Sequence, residues 1–212
     1  MSKERRHRKL LHLDSSALGS NSVSRDLSAA VVAAWQKRDQ TIAVTYRDLA
    51  AEPVGHLSDE ILKARQSEPD GLSAPQLRER DFSNALNEEF LAADIVVIGA
   101  PMYNFAISSQ LKTWIDRIVQ AGRTFRYTES GAVGLVTDKR VVIASSRGGV
   151  YTAPGRLTQD HQETYLRLIF NFLGINDVEV VRAEGLALGP AHRARSIDAA
   201  HAAIAGLPLD AV

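Results

Sequence analysis

Six consecutive apolar residues, Ile95-Val96-Val97-Ile98-Gly99-Ala100, restrict this chain more than any other segment. The run is too short for a membrane span and does not alternate with polar residues, so it suits a strand covered on both faces. A strand of that kind needs a layer on each side. Other strand-like runs recur along the chain at Lys9–Asp14, Thr41–Tyr46, Arg140–Ser145 and Val178–Ala183. Helical periodicity fills the gaps. Leu27, Ala30, Val31, Ala34 and Trp35 share one face, a second stretch runs from Gln76 to Ala92, and Leu111, Trp114, Ile115, Ile118 and Val119 form a third. Further helices are expected over Leu157–Leu173, closed by Gly174, and over Ala191–Ile204. Phe125 to Val136 reads as a small hairpin. Five strands separated by helices predict a single three-layer α/β domain over residues 1–212 with a five-stranded parallel sheet, because right-handed crossovers return across its faces.

Two segments stand outside this pattern. Lys3, Arg5, Arg6, Arg8 and Lys9 crowd the start, and residues 1–8 are expected to form a disordered basic tail. Residues 52–74 contain Pro53, Gly55, Pro69, Gly71 and Ser73, so they predict a long excursion with one short helix near Asp59–Gln66.

Composition narrows the chemistry. The 212 residues contain no Cys, which excludes disulfides, thiolate metal centres and thiol nucleophiles, and leaves redox work to a bound organic cofactor. Lys and Arg number 25, as do Asp and Glu, a balance that argues against a nucleic-acid partner. Neither a secretory leader nor a membrane span is expected, which makes the cytoplasm the default location. The six His show no metal-ligand spacing, so no metal is expected, and His12 reads as a strand residue with no catalytic role.

Ligands of parallel sheets bind beyond the carboxyl ends of the strands, which directs attention to the loops after strands one, three and four. The first holds Ser15, Ser16, Ser20, Ser22 and Ser24 ahead of a helix, and hydroxyls with free helix N–H groups suit a phosphate. Helix caps would explain the same serines. Neither the G-x-x-x-x-G-K-[ST] nor the G-x-G-x-x-G phosphate motif is present. The second, Pro101-Met102-Tyr103-Asn104-Phe105, can line a planar aromatic ligand, and the third, Ser145-Ser146-Arg147-Gly148-Gly149, lets main chain approach one.

These residues carry a family resemblance that covers nearly the whole chain. Pro101–Phe105 with Ile107-Ser108 and Leu111-Lys112, Thr124–Glu129, Gly134-Leu135-Val136 and Ser146–Gly149 resemble the bacterial FMN-dependent NADH:quinone oxidoreductase/azoreductase family. The resemblance implies a flavodoxin-like fold, a homodimer with active sites at the subunit interface, and one non-covalent FMN per chain. NADH or NADPH would donate a hydride to the flavin N5 in a ping-pong cycle, with a quinone or azo compound as acceptor and no catalytic side chain required. By matching positions, Ser16 and Ser22-Val23-Ser24 would hold the phosphate side, Pro101, Met102, Tyr103, Asn104 and Phe105 the isoalloxazine, and Ser146, Arg147, Gly148 and Gly149 its pyrimidine edge. Tyr127, Tyr151 and Phe172 would wall the substrate pocket, Phe172 reaching across from a partner subunit; Tyr151 stands where some relatives have His. A flavodoxin-type FMN electron carrier with no small-molecule substrate is the alternative on the same fold.

Overall fold

The computed structural model describes residues 7–66 and 68–208. Most of the basic N-terminal tail, including Lys3, Arg5 and Arg6, lies outside the described residues, whereas Lys9 opens the first strand. The elements in order are β1 (Lys9–Asp14), α1 (Val23–Arg38), β2 (Ala43–Asp48), α2 (Asp59–Gln66), α3 (Ala74–Ala92), β3 (Ile95–Pro101) and α4 (Ser109–Ile118). They continue with β4 (Phe125–Thr128), β5 (Gly131–Gly134), β6 (Arg140–Ser146), α5 (Glu163–Leu173), β7 (Asp177–Ala183) and α6 (Pro190–Ala205). Five strands form a parallel sheet in the order β2-β1-β3-β6-β7, and β4 with β5 forms a separate antiparallel hairpin. The chain steps outward from β1 to β2 and then crosses to β3 on the other side, which opens a crevice between the ends of β1 and β3.

Alternation along the strands builds two cores. Leu11 and Leu13 of β1, Val96, Ile98 and Ala100 of β3, and Val141 and Ile143 of β6 meet Leu86 and Phe90 of α3, Trp114 of α4 and Phe170 of α5. Leu10, Ile95, Val97, Val142 and Ala144 face the other way, onto Leu27, Val31 and Trp35 of α1 and Ala200 and Ile204 of α6. All seven residues of β3 are buried, as a strand sandwiched between two helical layers requires. At its end, Gly99 admits the start of α1: a Cβ there would lie 2.3 Å from Asp14 Oδ1 and 3.1 Å from Ser24 O.

Several boundaries differ from those the sequence predicts, and three starts have a visible cause. The second strand starts at Ala43, because Asp39 Oδ1 accepts from Thr41 N at 3.0 Å and holds that residue in a turn. Helix α3 begins two residues early, where Gln76 Oε1 accepts from Ser73 N at 2.9 Å. The expected helix from Leu157 is only a short 3-10 turn there, and α5 starts at Glu163; Asp160 Oδ1 accepts from Gln162 N and Glu163 N and caps the later start. Its other end matches the expectation, with Gly174 at φ 100° in the left-handed conformation that ends helices. The excursion is partly ordered by Arg117, whose guanidinium donates to Gly55 O at 3.1 Å and to Glu79 at 2.9 Å.

Candidate active site

Because the sheet is parallel, all five strands end on one edge and the helices that follow them start there. At the β1/β3 crevice lies a cavity of about 270 Å³ walled by Ser16, Asn21, Ser22, Val23, Pro101, Met102, Tyr103, Ser146, Arg147 and Gly148. Leu18, Leu186, Ala187 and Arg193 complete the wall. Nine of the sixteen positions expected to bind cofactor or substrate therefore meet in one place, and the rest separate from it as follows.

Ser22 caps α1, its Oγ accepting from Arg25 N at 3.4 Å and lying 3.0 Å from Ser24 Oγ. Ser24 is fully buried and is not part of the cavity wall. Ser16 Oγ lies 3.2 Å from the Tyr103 hydroxyl, which joins the first loop to the third-strand loop. Behind Ser16 stands a clamp. Arg25 donates through Nη2 to Ser16 O at 2.9 Å and makes two 2.6 Å bonds to Asp48. The donated hydrogen bonds and charge of Arg25 hold the Asp48 carboxyl below its ordinary range, against opposing burial. Tyr46, desolvated and donating to Asp14 at 3.0 Å, is pushed up to about 12. His12 is buried, with Nε2 3.0 Å from Ser28 Oγ on the α1 side of the sheet, well placed for a packing role.

The third-strand loop is a tight turn. Tyr103 and Ala106 exchange hydrogen bonds of 2.9 and 3.0 Å, and the residues between them, Asn104 and Phe105, have φ values of 48° and 70°. Asn tolerates that conformation, whereas a bulky Phe does so at a cost of about 1–2 kcal/mol. Phe105 leaves the cavity wall, half exposed, with its ring edge-on to Tyr151 at 6.1 Å between centroids. Tyr151 in turn covers Gly149 and carries Arg156 over its ring at 5.5 Å. Phe105→Gly is expected to be more stable than Phe105→Ala by about 1 kcal/mol in chemical denaturation, reversing the usual advantage of Ala over Gly. An Ala variant equal to or more stable than the Gly variant would show that the turn stores no such strain.

The fourth-strand loop rests on a buried ion cluster. The Arg147 guanidinium turns away from the cavity and meets Asp160 at 2.7 Å, Glu184 at 3.2 Å and Glu163 at 3.3 Å. Glu184 Oε1 also accepts from Tyr151 N at 3.0 Å, so one carboxylate holds both ends of the loop. Met102 N donates to Ser146 O at 2.9 Å. The N–H groups of Gly148 and Gly149 donate to no protein acceptor among the described residues. Despite burial, the Glu163 carboxyl is held low by Arg182, with Arg167 adding to it. Lowered carboxyls bind protons more weakly in the fold than in the unfolded chain, so Asp48 and Glu163 contribute stability above the unfolded values near pH 4, and it is lost as pH falls through their folded values. Melting temperature should accordingly drop steeply below about pH 4, and less steeply in Arg25→Gln, which removes the donor to Asp48.

Tyr127 and Phe172 lie apart from this cavity. Both pack on Phe125 of their own chain, at 5.3 and 4.7 Å between ring centroids, with Tyr127 75% exposed. A second, larger cavity of about 780 Å³ lies on the far side of the Tyr103–Ala106 turn, between α4 and α5, where Asn104, Ile107, Tyr165 and Leu168 line it. Among the described residues no group of three or more His, Asp or Glu is placed to hold a metal, and no helix is long and apolar enough to cross a membrane.

A family model described as "Flavodoxin-like fold" matches residues 8–207. An FMN-dependent NADH:quinone oxidoreductase of Chromobacterium violaceum is 53% identical over 201 residues, covering 95% of this chain and all of the relative. The chain belongs to this flavodoxin-like family. Another member, FMN-dependent NADH:quinone oxidoreductase 2 of Pseudomonas aeruginosa, is 55% identical across 93% of this chain and 97% of its own. Among solved structures, an FMN-dependent NADH-azoreductase of Bacillus anthracis in complex with FMN superposes with a TM-score of 0.85 at 26% identity, covering 94% of this chain and 98% of its own. Family membership agrees with the doubly wound sheet and with a crevice walled by loops after β1, β3 and β6.

The structure adds a fourth loop to the site, after β7, through Leu186, Ala187 and Arg193. Its signal in the sequence is topological: a fifth parallel strand must end on the same edge as the other four.

Proposed function

We propose that the protein catalyses the FMN-dependent reduction of quinones by NADH, and of azo compounds by the same route. The observation that carries this reading is the donor set of the β1/β3 cavity. Serine hydroxyls at the start of α1, free N–H groups at Gly148 and Gly149, and a wall without carboxylates fit a ligand with an anionic tail and a polar-edged planar ring. FMN has both parts. Bound there, it would supply the chain's redox chemistry, two-electron hydride transfer between the nicotinamide and the acceptor.

The chain's own contribution is binding and orientation. Ser16 and Ser22, with the first turn of α1, hold the phosphate; the Arg25–Asp48 clamp keeps the Ser16 carbonyl turned away from it. Pro101, Met102 and Tyr103 would hold the ring, while the N–H groups of Gly148 and Gly149 would donate to its polar edge and favour the reduced, more negative form. Arg147 takes no direct part, since its charge is balanced by three carboxylates, and acts by fixing the loop.

The substrate wall requires a second chain in this reading. We assign the homodimer interface to the larger cavity between α4 and α5, supported by its apolar lining, by its sharing Tyr103 and bordering Asn104, and by Leu168, 66% exposed beside it. Tyr127 and Phe172 would then serve the partner's site. A working place in the cytoplasm, where NADH is available, completes the proposal.

The decisive test is the purified protein's colour and turnover. Heat-released chromophore should be FMN, at one per chain, and NADH should be consumed when a benzoquinone is added. Colourless protein that neither takes up FMN nor oxidises NADH with a quinone overturns the proposal. Flavin-bound protein with no quinone or azo reduction would favour an electron carrier.

A further inference from the structure

Two charged residues border the β1/β3 cavity, and they differ in kind. Arg147 is fully buried against Asp160, Glu163 and Glu184. Arg193 is exposed, and among the described residues it has no ion pair and no side-chain hydrogen bond. Its charge is therefore uncompensated.

Its position is also unfavourable for its own helix. Arg193 is the fourth residue of α6, which starts at Pro190 after Gly189 and has no acidic residue in its first turn. A cation there opposes the helix dipole. Neither a carboxylate partner nor the helix end explains an arginine at this place. Its surroundings do. The first turns of α1 and α6 both reach the ligand-binding edge, since the strands before them are parallel. The two helices pack together through Leu27, Val31, Ala200 and Ile204 and are joined by Asp26 and His201 at 2.9 Å. Ser16, Ser22 and Arg193 are thereby brought to one cavity from residues far apart in the chain.

Building on the FMN reading above, we propose that Arg193 is a binding residue for the FMN phosphate, an exposed cation that, without an ion pair among the described residues, joins a wall of hydroxyls and backbone N–H groups. A flexible, unpaired guanidinium can swing onto a phosphate that has entered, forming charge-assisted hydrogen bonds there. Since no carboxylate among the described residues is paired with it, the gain is confined to ligands carrying that phosphate.

Flavins with and without the phosphate test this directly. Full-length protein freed of flavin by dialysis is titrated with FMN and with riboflavin, following the quenching of flavin fluorescence, for wild type, Arg193→Gln and Arg193→Lys. Arg193→Gln should weaken FMN binding about 10-fold and leave riboflavin unchanged. Arg193→Lys should recover much of the loss, and the flavin-free melting temperature should not fall in either variant. Unchanged FMN affinity in Arg193→Gln overturns the proposal, as does an equal loss for FMN and riboflavin, which would mark a structural role. A raised KM for NADH with FMN affinity intact also overturns it, by assigning the cation to the nicotinamide donor. If wild-type protein binds neither flavin, the FMN reading itself has failed, a result distinct from these.

Discussion

Arg147→Met should lower folding stability by about 3–5 kcal/mol, enough to leave a domain of ordinary stability largely unfolded at physiological temperature. The Arg147 side chain is wholly buried, and its guanidinium is shared among Asp160, Glu163 and Glu184. Removing it leaves Asp160 with no other cation at such range, since Arg182 is bonded to Glu163. Uncompensated buried carboxylates are costly, and one outlet is to take up protons. The variant should therefore be less destabilised at pH 5 than at pH 8, a dependence that loss of packing alone would not produce. Urea denaturation at both pH values provides the measurement. A loss below about 1 kcal/mol would mean that the cluster is hydrated and contributes little. Function should suffer as well, because Glu184 also holds Tyr151 N and so sets the path of Gly148 and Gly149.

The second large effect concerns ligand affinity at little cost to the fold. Asp is as good a helix cap as Ser, so Ser22→Asp should keep α1 intact. It also places a carboxylate on the wall of the cavity proposed to take the FMN phosphate. Two like charges about 5 Å apart at an effective dielectric of about 20 repel by about 3 kcal/mol per unit of phosphate charge, so FMN affinity should fall at least about 100-fold. Riboflavin, lacking the phosphate, should lose far less. Equal loss for both flavins would move the phosphate elsewhere, and unchanged FMN binding would remove Ser22 from the site. A melting temperature within a few degrees of wild type, measured without flavin, completes the comparison.

Residues 95–101 show how much of this was legible in sequence. An uninterrupted apolar run has one good solution in an α/β chain of this length, a central strand, and once β3 is central the parallel order and the binding edge follow. Ser16, Met102 and Gly148 were reachable by the same logic, because position at a strand end and side-chain chemistry coincide in them. Ser24 and Phe105 show where the logic fails. A helix turns each successive side chain by about 100°, which sends Ser24 inward while Ser22 faces the cavity, and the left-handed turn at Asn104-Phe105 rotates Phe105 out of the wall. Arg147 lies in the expected strand-end loop, yet its inward orientation depends on three carboxylates 13 to 37 residues further along. Pairing of that kind has no local signature. Tyr127 and Phe172 pack beside Phe125, away from the cavity, a placement that leaves no periodicity to read.

The cavity draws its wall from Ser16 near the beginning of the chain to Arg193 near its end. During synthesis no piece that ends before α6 contains the whole wall. The first strand and helix can form early, but the wall lacks Leu186, Ala187 and Arg193 until β7 and the first turn of α6 have emerged and docked. A chain truncated before β7, although it retains every serine and glycine of the early loops, should accordingly fail to retain flavin.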